Sequence, residues 1–150
     1  MIARRHFLGG LAALVAAGAL PSRAERAAAP PVTVYIGAGC GCCGEWVKHV
    51  EEQGFRVERR DVDDVAPIKR KLGIREDLWS CHTAVIEGYA IEGHVPAADI
   101  KRLLRERPPI AGLAVPGMPA GSPGMEQGGR REPYSTLAFD AGGSRVFERH

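Results

Sequence analysis

The sequence of 150 residues predicts an α/β domain, and three observations carry that prediction. From about residue 32 onward, short β-branched runs and helical patterns follow one another in the order β-α-β-α-β-β-α. A C-x-x-C pair, Cys40 and Cys43, stands where the first strand turns into the first helix. A Pro- and Gly-rich stretch then leads to two closing strands. Together these predict a thioredoxin-like α/β fold with a C-terminal Pro/Gly/Met loop and a β-hairpin extension.

Residues 1–24 stand apart from this domain. Arg4 and Arg5, an apolar run from Phe7 to Leu20, Pro21, and small residues at Ser22 and Ala24 read as a secretory signal cleaved near Ala24. The run is too short to span a bilayer comfortably, so no membrane association is expected after cleavage. Arg4-Arg5 followed by Phe7-Leu8 resembles a twin-arginine signal, with Ala3 and Gly9 departing from the usual flanks. Residues 25–31 form an Ala- and Pro-rich spacer, and 32–150 form the folded domain. Without the signal, 17 basic residues face 18 acidic ones, so the formal charge of +2 falls to −1 and no nucleic-acid surface is expected.

"VTVYIG", residues 32–37, is β-branched and aromatic and predicts a buried strand. From Gly44, "GEWVKHVEEQGF" sets Trp46, Val47 and Val50 on one helical stripe, with Gly54 as a C-terminal cap. Residues 55–62 alternate apolar and charged side chains as a second strand, and 65–74 predict a short helix begun near Pro67 and stopped at Gly73. Residues 83–95 read as two strands joined around Glu87-Gly88, and 96–108 as a helix with Pro96 in its first turn. From Pro108 to Pro133 no period supports a helix or strand, which predicts a long loop. "YSTLAFDAGGSRVF" closes the chain as two strands around Asp140 to Gly143.

Chemistry concentrates in the cysteines. Cys40, Cys42, Cys43 and Cys81 all lie in the domain, and an exported protein exposes them to an oxidising compartment. At a helix start, unpaired N–H groups and the helix dipole favour thiolates. Three readings stand side by side: a structural disulfide, a redox dithiol, or a metal site. Adjacent Cys42 and Cys43 do not easily bond each other, so if Cys40 pairs with Cys43, Cys42 must find Cys81 or stay free.

In the thioredoxin plan a cis-proline precedes the third main strand and faces the dithiol; here "SCHTAVI" places His82 at that position and Cys81 before it. Four thiols and an imidazole then converge, a soft-to-borderline donor set that favours metal over disulfide exchange. Pro116-Gly117-Met118 recurs as Pro123-Gly124-Met125, and these thioethers suit Cu(I) as ligands or as a lid. His94 is a candidate ligand or supporting partner, whereas His49 and His150 read as solvated. Trp46 and Trp79, close in sequence to the cysteines, read as core or as walls of the site. Structural zinc at the four cysteines is disfavoured, because Cys42 beside Cys43 lacks the paired C-x-x-C spacing of such sites.

"CGCCGEWVKHVEEQGF", "DVDDVAPIKRKLGI", "SCHTAVIEGYAIEGHVPAADIKRLL", "GLAVPGMPAGSPGME" and "PYSTLAFD" stand in an order that resembles the exported copper-resistance family called CopG-type, long described only as a domain of unknown function. The likeness covers about residues 32 to 147. It implies a thioredoxin-like fold, a periplasmic location, copper at the C-x-C-C cysteines with help from the Cys-His loop, and a role in copper redox handling. Residue chemistry and resemblance agree on a site of Cys40, Cys42, Cys43 and Cys81 as thiolates, joined by His82 and by Met118, Met125 or His94. Such a site would hold Cu(I), with Cu(II) accessible in place and room for more than one ion through bridging thiolates. The expected function is periplasmic copper binding in copper resistance. A thiol-disulfide oxidoreductase using Cys40 and Cys43, or a non-catalytic chaperone passing copper to an efflux or oxidase partner, are the alternatives.

Overall fold

The computed structural model describes residues 31–150; the predicted signal peptide and most of the spacer lie outside the described residues. Ten regular elements follow: β1 (Val32–Gly37), α1 (Gly41–Glu52), β2 (Val57–Val62), α2 (Ala66–Lys71), β3 (His82–Ile86), β4 (Tyr89–Gly93), α3 (Ala97–Glu106), β5 (Gly112–Val115), β6 (Ser135–Asp140) and β7 (Gly143–Arg149). Short 3₁₀ turns occupy Glu76–Leu78 and Gln127–Gly129.

The strands form one seven-stranded sheet in the order β2-β1-β3-β4-β5-β6-β7. β1 runs parallel to β2 and antiparallel to β3, and β3 and β4 form an antiparallel pair, so the first four strands have the thioredoxin-like arrangement. Val32, Val34 and Ile36 of β1 are fully buried on one face, as alternation demands of a half-covered strand. β2 lies at the sheet edge and is blunted by Glu58, Arg59, Arg60 and Asp61. Glu87 and Gly88 close the β3–β4 hairpin with two positive φ angles, the signature of a type I′ turn.

α1 and α3 share the main core. Cys43, Trp46 and Val50 meet Ala97, Ile100 and Leu103 over the inner residues of β1, β3 and β4. A smaller cluster gathers Ile74, Leu78, Ala90, Ala114 and Phe139.

Two boundaries differ from expectation. α1 begins at Gly41 rather than Gly44, with Cys40 as an extended N-cap, so Cys42 and Cys43 belong to the helix's first turn. The stretch read as a long loop contains β5, a strand of four buried residues parallel to β4. Burial on both faces removes the alternation by which a strand is recognised, and flanking Pro and Gly make so short a run look like a turn. The predicted C-terminal hairpin is present as β6–β7 and extends the sheet beyond β5.

Candidate metal centre

The strand topology by itself brings the parts of the site together. His82 pairs with Ile36 across the β1–β3 ladder, so the residue preceding β3 lands beside the C-terminal end of β1, where α1 starts. Cys81 therefore faces Cys40, Cys42 and Cys43. One Sγ from each of the four lies within 4.8 Å of the others.

Cys40 and Cys43 are joined as a disulfide, with Cα atoms 5.5 Å apart. Cys42 and Cys81 are free and half-buried. Cys42 Sγ lies 3.6 Å from Cys40 Sγ and 3.8 Å from Cys81 Sγ. The four-thiolate set expected from the sequence thus exists only once the Cys40–Cys43 bond is reduced. Closing so short a loop restricts the unfolded chain by only about 2 kcal/mol, which makes this bond a weak staple.

Two buried imidazoles complete the centre. His82 Nδ1 lies 3.3 Å from Cys81 Sγ, and the ring sits 4.5 Å from the Trp46 indole and 5.1 Å from the His94 ring. His82 Nε2 is buried without a hydrogen-bond partner among the described residues. His94 Nδ1–H donates to the Pro123 carbonyl at 2.7 Å, and its Nε2 lies 3.0 Å from Cys81 Sγ. With Nδ1 donating, Nε2 presents its lone pair to the sulfur side, the tautomer a metal ligand requires.

Burial holds both histidines below their ordinary range; His94 and Lys69 press His82 further down, while the Pro123 contact and Glu126 partly oppose the effect at His94. They are therefore neutral near pH 7. Burial, reinforced by Cys42, pushes the Cys81 thiol up to about 12. A soft cation among these atoms would reverse that preference by stabilising the thiolate. One correctly tautomerised imidazole nitrogen 3.0 Å from Cys81 Sγ, a second imidazole nitrogen 3.3 Å from it and converging sulfurs fit such a cation.

The predicted methionines separate. The second Pro-Gly-Met repeat lies on α1: a Cβ at Gly124, where φ is +84°, would come within 2.8 Å of Trp46 N and 3.0 Å of Cys42 O. Only glycine permits that approach. Met125 helps line a cavity of about 350 Å³ with Cys42, Ala120 and Gly124. Met118, in the first repeat, is 53% exposed. Gly117 nonetheless ties its part of the loop down, its N–H donating to Trp79 O at 3.2 Å and its carbonyl accepting from Ser80 Oγ.

A buried charge network not picked out from the sequence braces the Cys81–His82 segment. Glu92 on β4, fully buried, accepts from Lys69 Nζ, from Thr83 Oγ1 at 2.6 Å and from the Ser80 N–H at 2.6 Å. Lys69 Nζ also donates to Thr83 Oγ1 at 2.9 Å. Ser80 and Thr83 flank Cys81 and His82, so one carboxylate grips both sides of the pair. The signal for it was alternation, since Glu92 and Ala90 share a face of β4. Beside it, Gly93 lets β4 pass Ser80, for a Cβ there would meet Ser80 Oγ at 2.5 Å.

Trp46 is core and wall at once: it is fully buried against His82, and its indole N–H donates to Val95 O at 2.9 Å. Trp79 is half-buried, with its N–H on Ile74 O and Arg70 over its ring. His49 and His150 are not simply solvated. His49 Nε2 accepts from the Ala97 N–H at the start of α3, and His150 Nε2–H donates to buried Asp99 at 3.0 Å while stacking on Tyr134.

The family model described as "Protein of unknown function, DUF411" matches residues 78–125, the span from the 3₁₀ turn before Cys81 to Met125. Two solved structures, titled "Copper resistance protein copG- Form 2" and "Copper resistance protein copG- Form 1", are each 45% identical to this chain. Each match covers 81% of this chain and 98% of the solved one, with a TM-score of 0.77. The chain belongs to the CopG family. No curated protein matches it. The CopG chains are matched over nearly their whole length, so the likeness extends well beyond the segment around the Cys-His pair. Among the described residues, no helix is long and apolar enough to cross a membrane.

Proposed function

We propose that this chain is a periplasmic copper-resistance protein that holds Cu(I) in its cysteine-rich centre and lets copper pass between Cu(I) and Cu(II) there. The observation that carries the reading is the convergence of four sulfurs at the start of α1, with two neutral, buried imidazoles beside the Cys81 sulfur. Solved relatives at 45% identity are titled copper resistance proteins, which supports copper as the cargo. Thiolates suit Cu(I) and imidazoles accept either oxidation state. In the reduced protein Cys40, Cys42, Cys43 and Cys81 would hold copper, with His82 and His94 beside them and Met125 at the cavity wall. The four thiolates together offer bridging positions for more than one ion. Arg4 and Arg5 with the apolar run that follows support export, after which residues 32–150 act as the domain.

Anaerobic titration of the reduced, purified protein with Cu(I) tests this reading. Tight binding is expected, with capacity lost in Cys42→Ser and in Cys81→Ser; unchanged stoichiometry in both variants would sink it.

The Cys40–Cys43 disulfide, with Cys42 at 3.6 Å, favours one second reading, a thiol-disulfide oxidoreductase. Ready reduction of a model disulfide by the metal-free dithiol form, abolished by copper, distinguishes it.

A further inference from the structure

Outside the metal centre, a two-lobed cleft opens where β6 begins and β7 ends. Its first lobe, a cavity of about 440 Å³, is lined by Gly121, Arg131, Glu132, Pro133, Tyr134 and His150. The second, of about 270 Å³, is lined by Pro133, Tyr134, Ser135, Arg149 and His150. Pro133, Tyr134 and His150 thus form a wall common to both lobes, with Arg131 in one lobe and Arg149 in the other. The wall is firmly held. The Tyr134 and His150 rings stack at 4.7 Å, and their backbones exchange hydrogen bonds of 3.0 and 3.3 Å. Asp99 of α3, only 4% exposed, accepts from His150 Nε2–H at 3.0 Å and from Thr136 Oγ1 at 2.5 Å, which fixes the imidazole. Gly121, at φ +91°, makes room for the stem of Arg131, since a Cβ there would lie 3.0 Å from Arg131 Cγ and 3.3 Å from its Cα.

The charges in the cleft are unbalanced. Glu132 is already engaged, by Arg130 at 2.5 Å and by the Ala120 N–H at 3.4 Å. Arg131 and Arg149 have no carboxylate partner among the described residues, whereas Arg130, Arg145 and Arg102 close by all do. Two guanidinium groups are therefore open to a ligand.

We propose that this cleft binds a small organic dicarboxylate, with one carboxylate on Arg131, the other on Arg149, and the carbon chain between them lying along the Pro133–Tyr134–His150 wall. A guanidinium grips a carboxylate through two parallel N–H···O bonds, and the proline and tyrosine rings supply the carbon surface that a short spacer needs. Cationic groups in separate lobes call for two separated acidic groups, whereas inorganic phosphate offers one compact charge. The site stands apart from the metal centre and does not depend on copper. Ala120 lines the cavity beside Cys42 and its neighbour Gly121 lines this one, so the loop divides the two.

Titration of the metal-free protein with glutarate, followed by calorimetry and by NMR, tests this. A single equivalent should bind, shifting the signals of Gly121, Tyr134, Ser135 and His150 more than those of Cys42 and Cys81. Acetate, with one carboxylate, and inorganic phosphate should each bind at least about tenfold more weakly, as the loss of a charged hydrogen-bonded pair implies. Affinity should fall by about tenfold or more in Arg131→Gln and in Arg149→Gln, and binding should be lost in R131Q/R149Q. Both side chains are exposed and have no ion pair to lose, so melting temperature and Cu(I) capacity should match the parent protein. Failure of glutarate to bind, or binding unaltered in R131Q/R149Q, overturns the proposal. So does acetate or phosphate binding as tightly as glutarate, or glutarate shifts confined to the metal centre.

Discussion

The Sγ atoms of Cys42 and Cys81 lie 3.8 Å apart although 39 positions separate them in the chain. β3 brings Cys81 to the start of α1, and the Glu92 network fixes the segment that carries it.

Lys69→Met should destabilise the metal-free protein by about 3 to 5 kcal/mol, because it strands the fully buried Glu92 carboxylate. Lys69→Met combined with Glu92→Leu should recover most of that loss. Thermal melts of the single and double variants check it, and equal losses in both would show that the charge pair is not what matters.

Gly124→Ala should cost about 1 to 3 kcal/mol, since its methyl group meets the backbone of Trp46 and Cys42 in a conformation suited to glycine. The loop should lift from α1, exposing the Arg130–Arg131 bonds to faster tryptic cleavage. An unchanged cleavage rate and melting temperature would show that the loop is not braced there.

The two methionines should behave differently. Met118→Leu, at an exposed position, should leave Cu(I) affinity within about twofold, while Met125→Leu, beside Cys42, should weaken it by roughly tenfold. Competition with a chelator of known affinity checks both, and equal effects would contradict the placement.

Stability of the metal-free protein should fall as pH drops from about 6.5 to 5. His49, His82 and His94 have folded-state values below 6.5, chiefly because burial disfavours the charged ring. Below 6.5 the unfolded chain binds protons that the folded chain refuses, so the slope approaches about 1.4 kcal/mol per pH unit for each such histidine. Urea melts across this range check the sign, and a flat profile would place these rings in water.

Much of the fold was legible because local pattern and tertiary burial agree. β1 alternates, the β3–β4 turn carries Glu87-Gly88, and Gly142-Gly143 marks the last hairpin. β5 was not legible, since four residues buried on both faces leave no period to read. The convergence of Cys40, Cys42, Cys43 and Cys81 followed from the strand order. The pairing of Cys40 with Cys43 did not, because spacing alone leaves a dithiol, a disulfide and a metal site all open. His94 emerged from residue type, but its Pro123 partner lies in a loop of no regular pattern, and Lys69 looked like any surface lysine until Glu92 was found behind it.

X-ray absorption at the copper edge, on the reduced protein loaded anaerobically with Cu(I), tests the central claim most directly. The predicted first shell is dominated by sulfur with a minor nitrogen contribution, and the sulfur count falls when Cys81 is changed to Ser. A shell of nitrogen and oxygen alone, unaltered in that variant, would contradict copper binding at this centre.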